Sequence, residues 1–500
     1  MGNQKISNWL FIIGVFVFQI LFWKEGQGLN LVFFTIFSLI TLIFQDVNRW
    51  KSTYFKISAI GTTLLSLFVV LNHSDVSIIC FWLSWLTLVG LSYGHDLYYL
   101  LYALMQGIEN LLFGTKNIKQ IFTWESNTND GFVPEKATGL RPSLFAIPVG
   151  ILALFVLMYM VGNQDFANNI ANILTAIFKN LDWLWDLFSF RWLLFLALAV
   201  FVIGGLVWKN SGERWSAAQL GHNMDILPVA EIPTMTQVND RYWTAFLTLA
   251  MLNVLIFVVN IQDFFKMLSP QDISASNLRF SVHFGTYALV FSIAVAMALL
   301  FYFFKNDLNF IEKSSSLRLL SYIWIAQNAI MVLAVFARNY LYISHHGLAY
   351  KRIGVVFFLI LVLIGLYTMV LKVKNQKTFT HLFHLNTWAV YGIFIVISAI
   401  NWDNFITNYN LQNTDRDKLD AAFLFNDISD KNLKTLYDYQ NLLPAKVTYK
   451  ESGFWSSNTY EMDTKTLLEQ KKNLFLERMK GGQSFLSWNY PDAQNLEVLK

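Results

Sequence analysis

Cysteine occurs once in the 500 residues, at Cys80. An intrachain disulfide and a cysteine-based metal cluster are therefore excluded. Charge is scarce too: Asp, Glu, Lys and Arg make up 14% of the chain, against about 25% in soluble domains. The sequence contains no phosphate-binding glycine loop, dinucleotide glycine pattern, His-Glu metalloprotease pair or serine elbow. The missing phosphate loop excludes a primary ATP-driven pump. A net charge of +4 gives no reason to expect nucleic acid as a partner. No cofactor and no metal site is expected.

What is abundant is apolar. Hydrophobic residues make up 55% of the chain and aromatic residues 17%. Apolar runs recur from the N-terminus to about residue 402, and a spanning helix needs roughly 17–25 mostly apolar residues. The composition predicts an all-α, polytopic transmembrane helix bundle. The candidate spans are 8–23, 29–44, 56–71, 77–93, 143–162, 192–208, 242–261, 282–304, 319–340, 353–371 and 384–402. That is about eleven spans, with ten to thirteen as the range. LYYLLYALMQGIENLLF (97–113) and the 168–190 region mix charge and aromatics with apolar residues, as interfacial helices do.

The N-terminal MGNQKIS puts Ile6 where a myristoylation signal needs Ser or Thr. No small-residue cleavage site follows the first apolar run, so residues 8–23 read as a retained helix. The segments that share a side with the N-terminus carry about twice the Lys and Arg of the opposite side. This predicts a cytoplasmic N-terminus and, with an odd span number, an external tail. The expected organisation is a helical layer at 1–95, an interfacial helix and cytoplasmic loop at 96–142, a main bundle at 143–402 and an extramembrane helical tail at 403–500. In that tail, Leu419, Ala422, Phe423 and Leu424 form one apolar stripe, and Leu433, Leu436, Tyr437 and Leu442 a second.

Four features could carry chemistry. His381 and His384 share a helical face but lack a third ligand nearby in sequence, so they read as interfacial. His95-Asp96 is a His–carboxylate pair at a span's end, where water reaches it. Glu109 is functional if its stretch enters the membrane and merely solvated if it lies on the surface. The fourth is ARNYLYISHHGLAYKRIGVV (337–356), a short hairpin that concentrates positive charge against the positive-inside bias. Gly347 permits its turn. Arg338, Tyr342, His345, His346, Lys351 and Arg352, with Asn401 and Asp403 at the exit of the last span, form the candidate binding site. Arg suits both a carboxylate and a phosphate head group. The expected roles are a clamp pairing Arg338 with Asp403 at the base of the tail, and contact with an anionic lipid or small anionic ligand.

The run from Arg338 through Tyr342-Ile343 and Gly347-Leu348 to Arg352, with the Asn-rich INWDNFITNYNL at 400–411, resembles a bacterial membrane family. That family is catalogued as domain of unknown function 4173, with 4153 as its sister. The resemblance covers roughly 140–450 and departs at Ala349, where Thr is expected, and at His346, where an aromatic is more usual. It implies a polytopic protein of the bacterial inner membrane and adds no chemistry. Two functions stay open: a non-enzymatic transport or cell-envelope component, or a membrane enzyme acting on a lipid-linked or glycan substrate at the outer face. A polar path near the midplane favours the first. A groove joining Asp403 and His345 favours the second.

Overall fold

A computed structural model describes residues 2–93, 97–118, 190–208, 214–220, 235–268, 314–414, 419–452, 457–480 and 484–499, with four two-residue pieces between 290 and 303. The chain forms two compact units, Met1–Trp23 with Leu111–Trp208, and Lys24–Asn110 with Lys209–Lys500. In the first, α1 (Gly2–Phe22) packs along α6 (Phe190–Val207). Phe11 stacks on Trp208 at 4.3 Å, and Phe195 meets both Phe18 and Trp23. Aromatic pairs of this kind add about 0.5–1.5 kcal/mol beyond the area they bury.

The second unit holds α2 (Leu29–Gln45), α3 (Thr53–Asn72), α4 (Asp75–Tyr93), α5 (Leu100–Phe113) up to Asn110, α7 (Arg214–Leu220), α8 (Met235–Leu268), α9 (Ser314–His346), α10 (Tyr350–Lys374) and α11 (Phe379–Ser398). Among the described residues six helices are long and apolar enough to cross a bilayer. They lie in α3, α4, α8, α9, α10 and α11; α1, α2 and α6 supply shorter apolar helices. The predicted span 143–162, most of 282–304 and the 168–190 region lie outside the described residues. Inside lipid, polar side chains must find partners in the protein, and here they join helices. Thr62 and Ser84 bond at 2.6 Å and Ser84 and Tyr391 at 2.7 Å, and the Tyr391 hydroxyl also donates to the Ser58 carbonyl. That chain ties α3 and α4 to α11, so residues 24–93 of the expected 1–95 layer belong to the same unit as the main bundle. α5 crosses α4 at contact distance: a Cβ on Gly90 would lie 1.8 Å from the Ala103 carbonyl oxygen.

The last predicted span ends early. α11 stops at Ser398, and Asn401 starts a new helix, α12 (Trp402–Asn413), by accepting the Asn404 N–H on its side chain. Asn is a strong N-cap because its carbonyl satisfies an otherwise orphaned donor. The tail continues through α13 (Ala421–Asn426) and α14 (Leu433–Asp438), then a hairpin of β1 (Lys446–Ser452) and β2 (Ser457–Asp463), and α15 (Thr464–Arg478) and α16 (Tyr490–Val498). The antiparallel strands pair Lys446 with Asp463 and Tyr449 with Tyr460. The tail is thus not purely helical: across the hairpin Val447 pairs with Met462, and both pack into the tail core.

The tail core gathers Ile406, Leu411, Leu424, Ile428, Leu433, Leu436, Val447 and Phe475, and with them Ile343 and Leu348 from the α9–α10 turn. The membrane hairpin is therefore part of the tail's own core. Asn410 fixes it: its Oδ1 accepts the Leu348 N–H at 2.5 Å and its amide donates to the Leu348 carbonyl at 2.9 Å. Lys471 is buried with its ammonium on the carbonyls of Leu424, Phe425 and Ile428, at and just past the C-terminal end of α13. Burial pushes its pKa down to about 8. Arg478 grips Asp492 with two bonds, at 2.6 and 3.1 Å, and this pairing holds its pKa above the ordinary value.

Gly347 sits at φ +74°, and a Cβ there would stand 2.6 Å from Asn410 Oδ1. Gly347→Ala is thus expected to cost about 1–3 kcal/mol. Asn410→Ala orphans two buried backbone groups at about 1–3 kcal/mol each. Both variants should release the tail faster under limited proteolysis. Lys446→Ala, on the exposed hairpin, should leave the rate unchanged.

Candidate functional site

The predicted cationic cluster resolves into two knots. In the first, the Arg352 guanidinium lies 4.3 Å over the Tyr342 ring, and the His346 ring packs on that ring at 4.6 Å. Arg352 Nη1 donates to the His346 carbonyl at 2.8 Å and also to that of Gly347, while Asn339 donates to the Arg352 carbonyl. A cation that closes the exposed carbonyls at a helix C-terminus is favoured by the helix dipole. In the second, the buried Asp403 carboxylate accepts the Tyr350 hydroxyl at 2.5 Å and the Ser429 hydroxyl. Membrane helix α10, tail helix α12 and the turn before α14 meet there. Lys351 and His345 are exposed, and Asn401 is the helix cap described above.

Arg338 is not in either knot. It pairs with Asp263 on α8 at 2.7 Å, with side-chain exposures of 22% and 11%, instead of the expected Asp403. The pair ends a polar row between α8 and α9. Asn253 donates to the Leu249 and Leu320 carbonyls, Gln327 donates to Asn253 Oδ1 at 2.8 Å, and Asn260 donates to the Gln327 carbonyl at 3.1 Å. The pairings advance together along both helices, so α8 and α9 run parallel. From Asn253 to Asp263 the row covers about 15 Å at 1.5 Å per residue. The candidate span in α8 is Asn239–Phe265, which places the whole row within it. Asn260 Oδ1, Gln327 Oε1 and Asn328 Oδ1 are buried without a hydrogen-bond partner among the described residues. Met251, Val254 and Leu255 on the flanks of the same helix are exposed and apolar.

Sequence reasoning missed this row. Asn253 and Asn260 stand seven residues apart, two turns on one face, and Gln327-Asn328 lies mid-run on α9. Those amides were the available signal. Asp263 fell beyond the predicted end of its span at 261, whereas α8 runs on to Leu268.

At the side away from the tail, His384 is buried on α11. Its Nε2 lies 3.2 Å from the Tyr54 hydroxyl, and Tyr54, Tyr98 and Tyr99 meet its ring edge-on at 5.2–5.5 Å. His384 is thus part of an aromatic corner joining α3, α11 and the chain before α5. Glu109 accepts the Trp215 Nε1–H at 2.7 Å and is half-buried. His95 and Asp96 lie outside the described residues. No group of three or more His, Cys, Asp or Glu suited to a metal ion occurs among the described residues.

Six membrane-length apolar helices with a charged pair and an amide row between two of them define a multi-pass helical-bundle membrane protein. Residues 32–439 match the model of a family described as a domain of unknown function, DUF4153, and the chain belongs to that family. This is the family named as the sister in the sequence comparison; the match does not carry the assignment to 4173. No curated protein and no solved structure matches the chain.

Removing one partner of a partly buried ion pair leaves a charge without compensation, at about 3–5 kcal/mol. Arg338→Ala and Asp263→Ala should each lower the denaturation midpoint of the detergent-solubilised protein, and together by clearly less than the sum. Arg338→Ala combined with Asp403→Ala should be additive, because the two residues share no partner.

Proposed function

We propose that the protein is a non-enzymatic transport component of a bacterial inner membrane, with a small polar or anionic solute passing along the α8–α9 row. The N-terminus is cytoplasmic and the tail external in this reading, as the uneven Lys and Arg distribution favours. The observation that carries it is the Arg338–Asp263 pair continued by Asn260, Gln327 and Asn253 inside a candidate span. Ionisable groups at membrane depth are expensive and mark solute and ion pathways. Amides alone serve as interhelical glue, but glue consumes its acceptors, and three amide oxygens of this row stay open among the described residues. Arg338 supplies a positive charge for an anion, and Asp263 holds it in place when the path is empty. The enzymatic alternative loses support, since Asp403 is taken up by Tyr350 and Ser429 while His345 lies exposed.

A water-filled path is testable without knowing the solute. Cysteines are placed at Asn253 and Gln327 in the row and at lipid-facing Met251, in a Cys80→Ser background. The first two should react with a charged, membrane-impermeant methanethiosulfonate reagent in native membranes, and the third should not. Equal inertness at all three would make the row dry glue and end the transport reading.

A further inference from the structure

We infer that the tail loop Ser484–Tyr490 is a membrane anchor that seats its aromatic side chains in the interfacial zone of the tail-side leaflet, beside the start of α2. The loop is tied to the first turn of α2 by its backbone. Leu29 and Asn30 donate their N–H groups to the carbonyls of Trp488 and Leu486, at 3.1 and 2.8 Å. These are the orphan donors that every helix N-terminus must satisfy, and here the tail supplies the acceptors. Glu25 adds a second tie by accepting the hydroxyls of Ser484 and of Ser487, the latter at 2.8 Å. Gly28 allows the approach, because a Cβ there would lie 2.6 Å from the carbonyl oxygens of Ser487 and Trp488.

These bonds fix the loop's height. The apolar run of α2 starts at Leu29, so its first turn lies at the membrane boundary. Phe485 reaches past that turn to Phe33, with ring centroids 6.2 Å apart. Phe33 is about 6 Å further along the helix axis at 1.5 Å per residue. Phe485 nevertheless remains 70% exposed, and Trp488 and Tyr490 are exposed beside it. A large aromatic left bare at this depth has one natural solvent. Phe33 heads a line of exposed residues down α2, continued by Ile36, Ile40 and Phe44, which is the spacing of a single lipid-facing helix stripe. Phe485 extends that stripe onto the tail. Tyr340, near the tail-side end of α9, and Phe405, in the first turn of α12, are also exposed and mark the same belt. The occupant is therefore the bilayer itself, and a second protein on the patch is the outcome that the test excludes.

Bimane on a single cysteine reads the environment directly, with Cys80→Ser as background. Phe485→Cys is compared with Ile40→Cys in the α2 stripe and with Lys446→Cys on the tail hairpin. The full-length protein is reconstituted in phosphatidylethanolamine–phosphatidylglycerol vesicles with and without nitroxide-labelled lipid. Bimane at 485 should be quenched by the nitroxide lipid severalfold more than at 446, approaching position 40, and should be shielded from aqueous iodide. Quenching by iodide with indifference to the nitroxide lipid would overturn the anchor. Shielding from both would also overturn it, by showing that protein covers the patch.

Discussion

A bilayer interior offers no water to a polar group, so each N–H, C=O and charge placed there must be answered from within the protein. The arrangement of the second unit follows from that constraint. Serine, threonine and tyrosine hydroxyls are spent on one another and on helix carbonyls where α3, α4 and α11 meet. The Asp263 and Arg338 charges meet each other, and the amides of α8 and α9 are donated across the same contact. At the membrane boundary the same requirement recruits the tail. Asn410 answers both backbone groups of Leu348, and the Leu486 and Trp488 carbonyls answer the first amides of α2.

The tail is consequently a fixed cap. Its core includes Ile343 and Leu348, and burying one such side chain contributes about 1.5–3 kcal/mol. Its last helix packs against the end of α3, its loop ties to α2, and α12 follows α11 after a three-residue break. The cationic hairpin that stands out in the sequence belongs to this docking. Arg352 closes the end of α9 and stacks on Tyr342, Tyr350 reaches Asp403, and Arg338 serves the interior row instead. A charge cluster along one stretch of chain has been divided among three partners.

The helices were legible because length and hydropathy are local: nine of the predicted runs coincide with described helices, from α1 at 8–23 to α11 at 384–402. Gly347 was legible because a short turn between two long helices demands left-handed backbone. Partner choice was not. Asp403 and Asp263 are equally plausible acceptors for Arg338 on charge alone, and which one it meets depends on how α8 lies against α9. Asp263 was assigned to a loop because the apolar run ends at Ile261, but nothing after it, neither Pro nor Gly, stops the helix before Leu268. The strands 446–452 and 457–463 escaped notice because most of their residues are polar and only Val447, Tyr449, Tyr460 and Met462 break the polar run. Capping of α2 by residues more than 450 positions away leaves no trace in either segment.

The central claim is that the tail and the membrane helices of the second unit are one folded body, joined where the loop before α2 meets the loop before α16. A Cβ on Gly26 would lie 3.4 Å from Ser487 Cβ, close to the roughly 3.5–4.5 Å separation of disulfide-bonded residues. Gly26→Cys with Ser487→Cys, in the Cys80→Ser chain, should therefore oxidise within a single molecule under mild copper–phenanthroline treatment. Peptide mapping should then recover residues 26 and 487 on one cross-linked fragment. A pair that stays reduced, or that links only separate molecules, would contradict the docked tail.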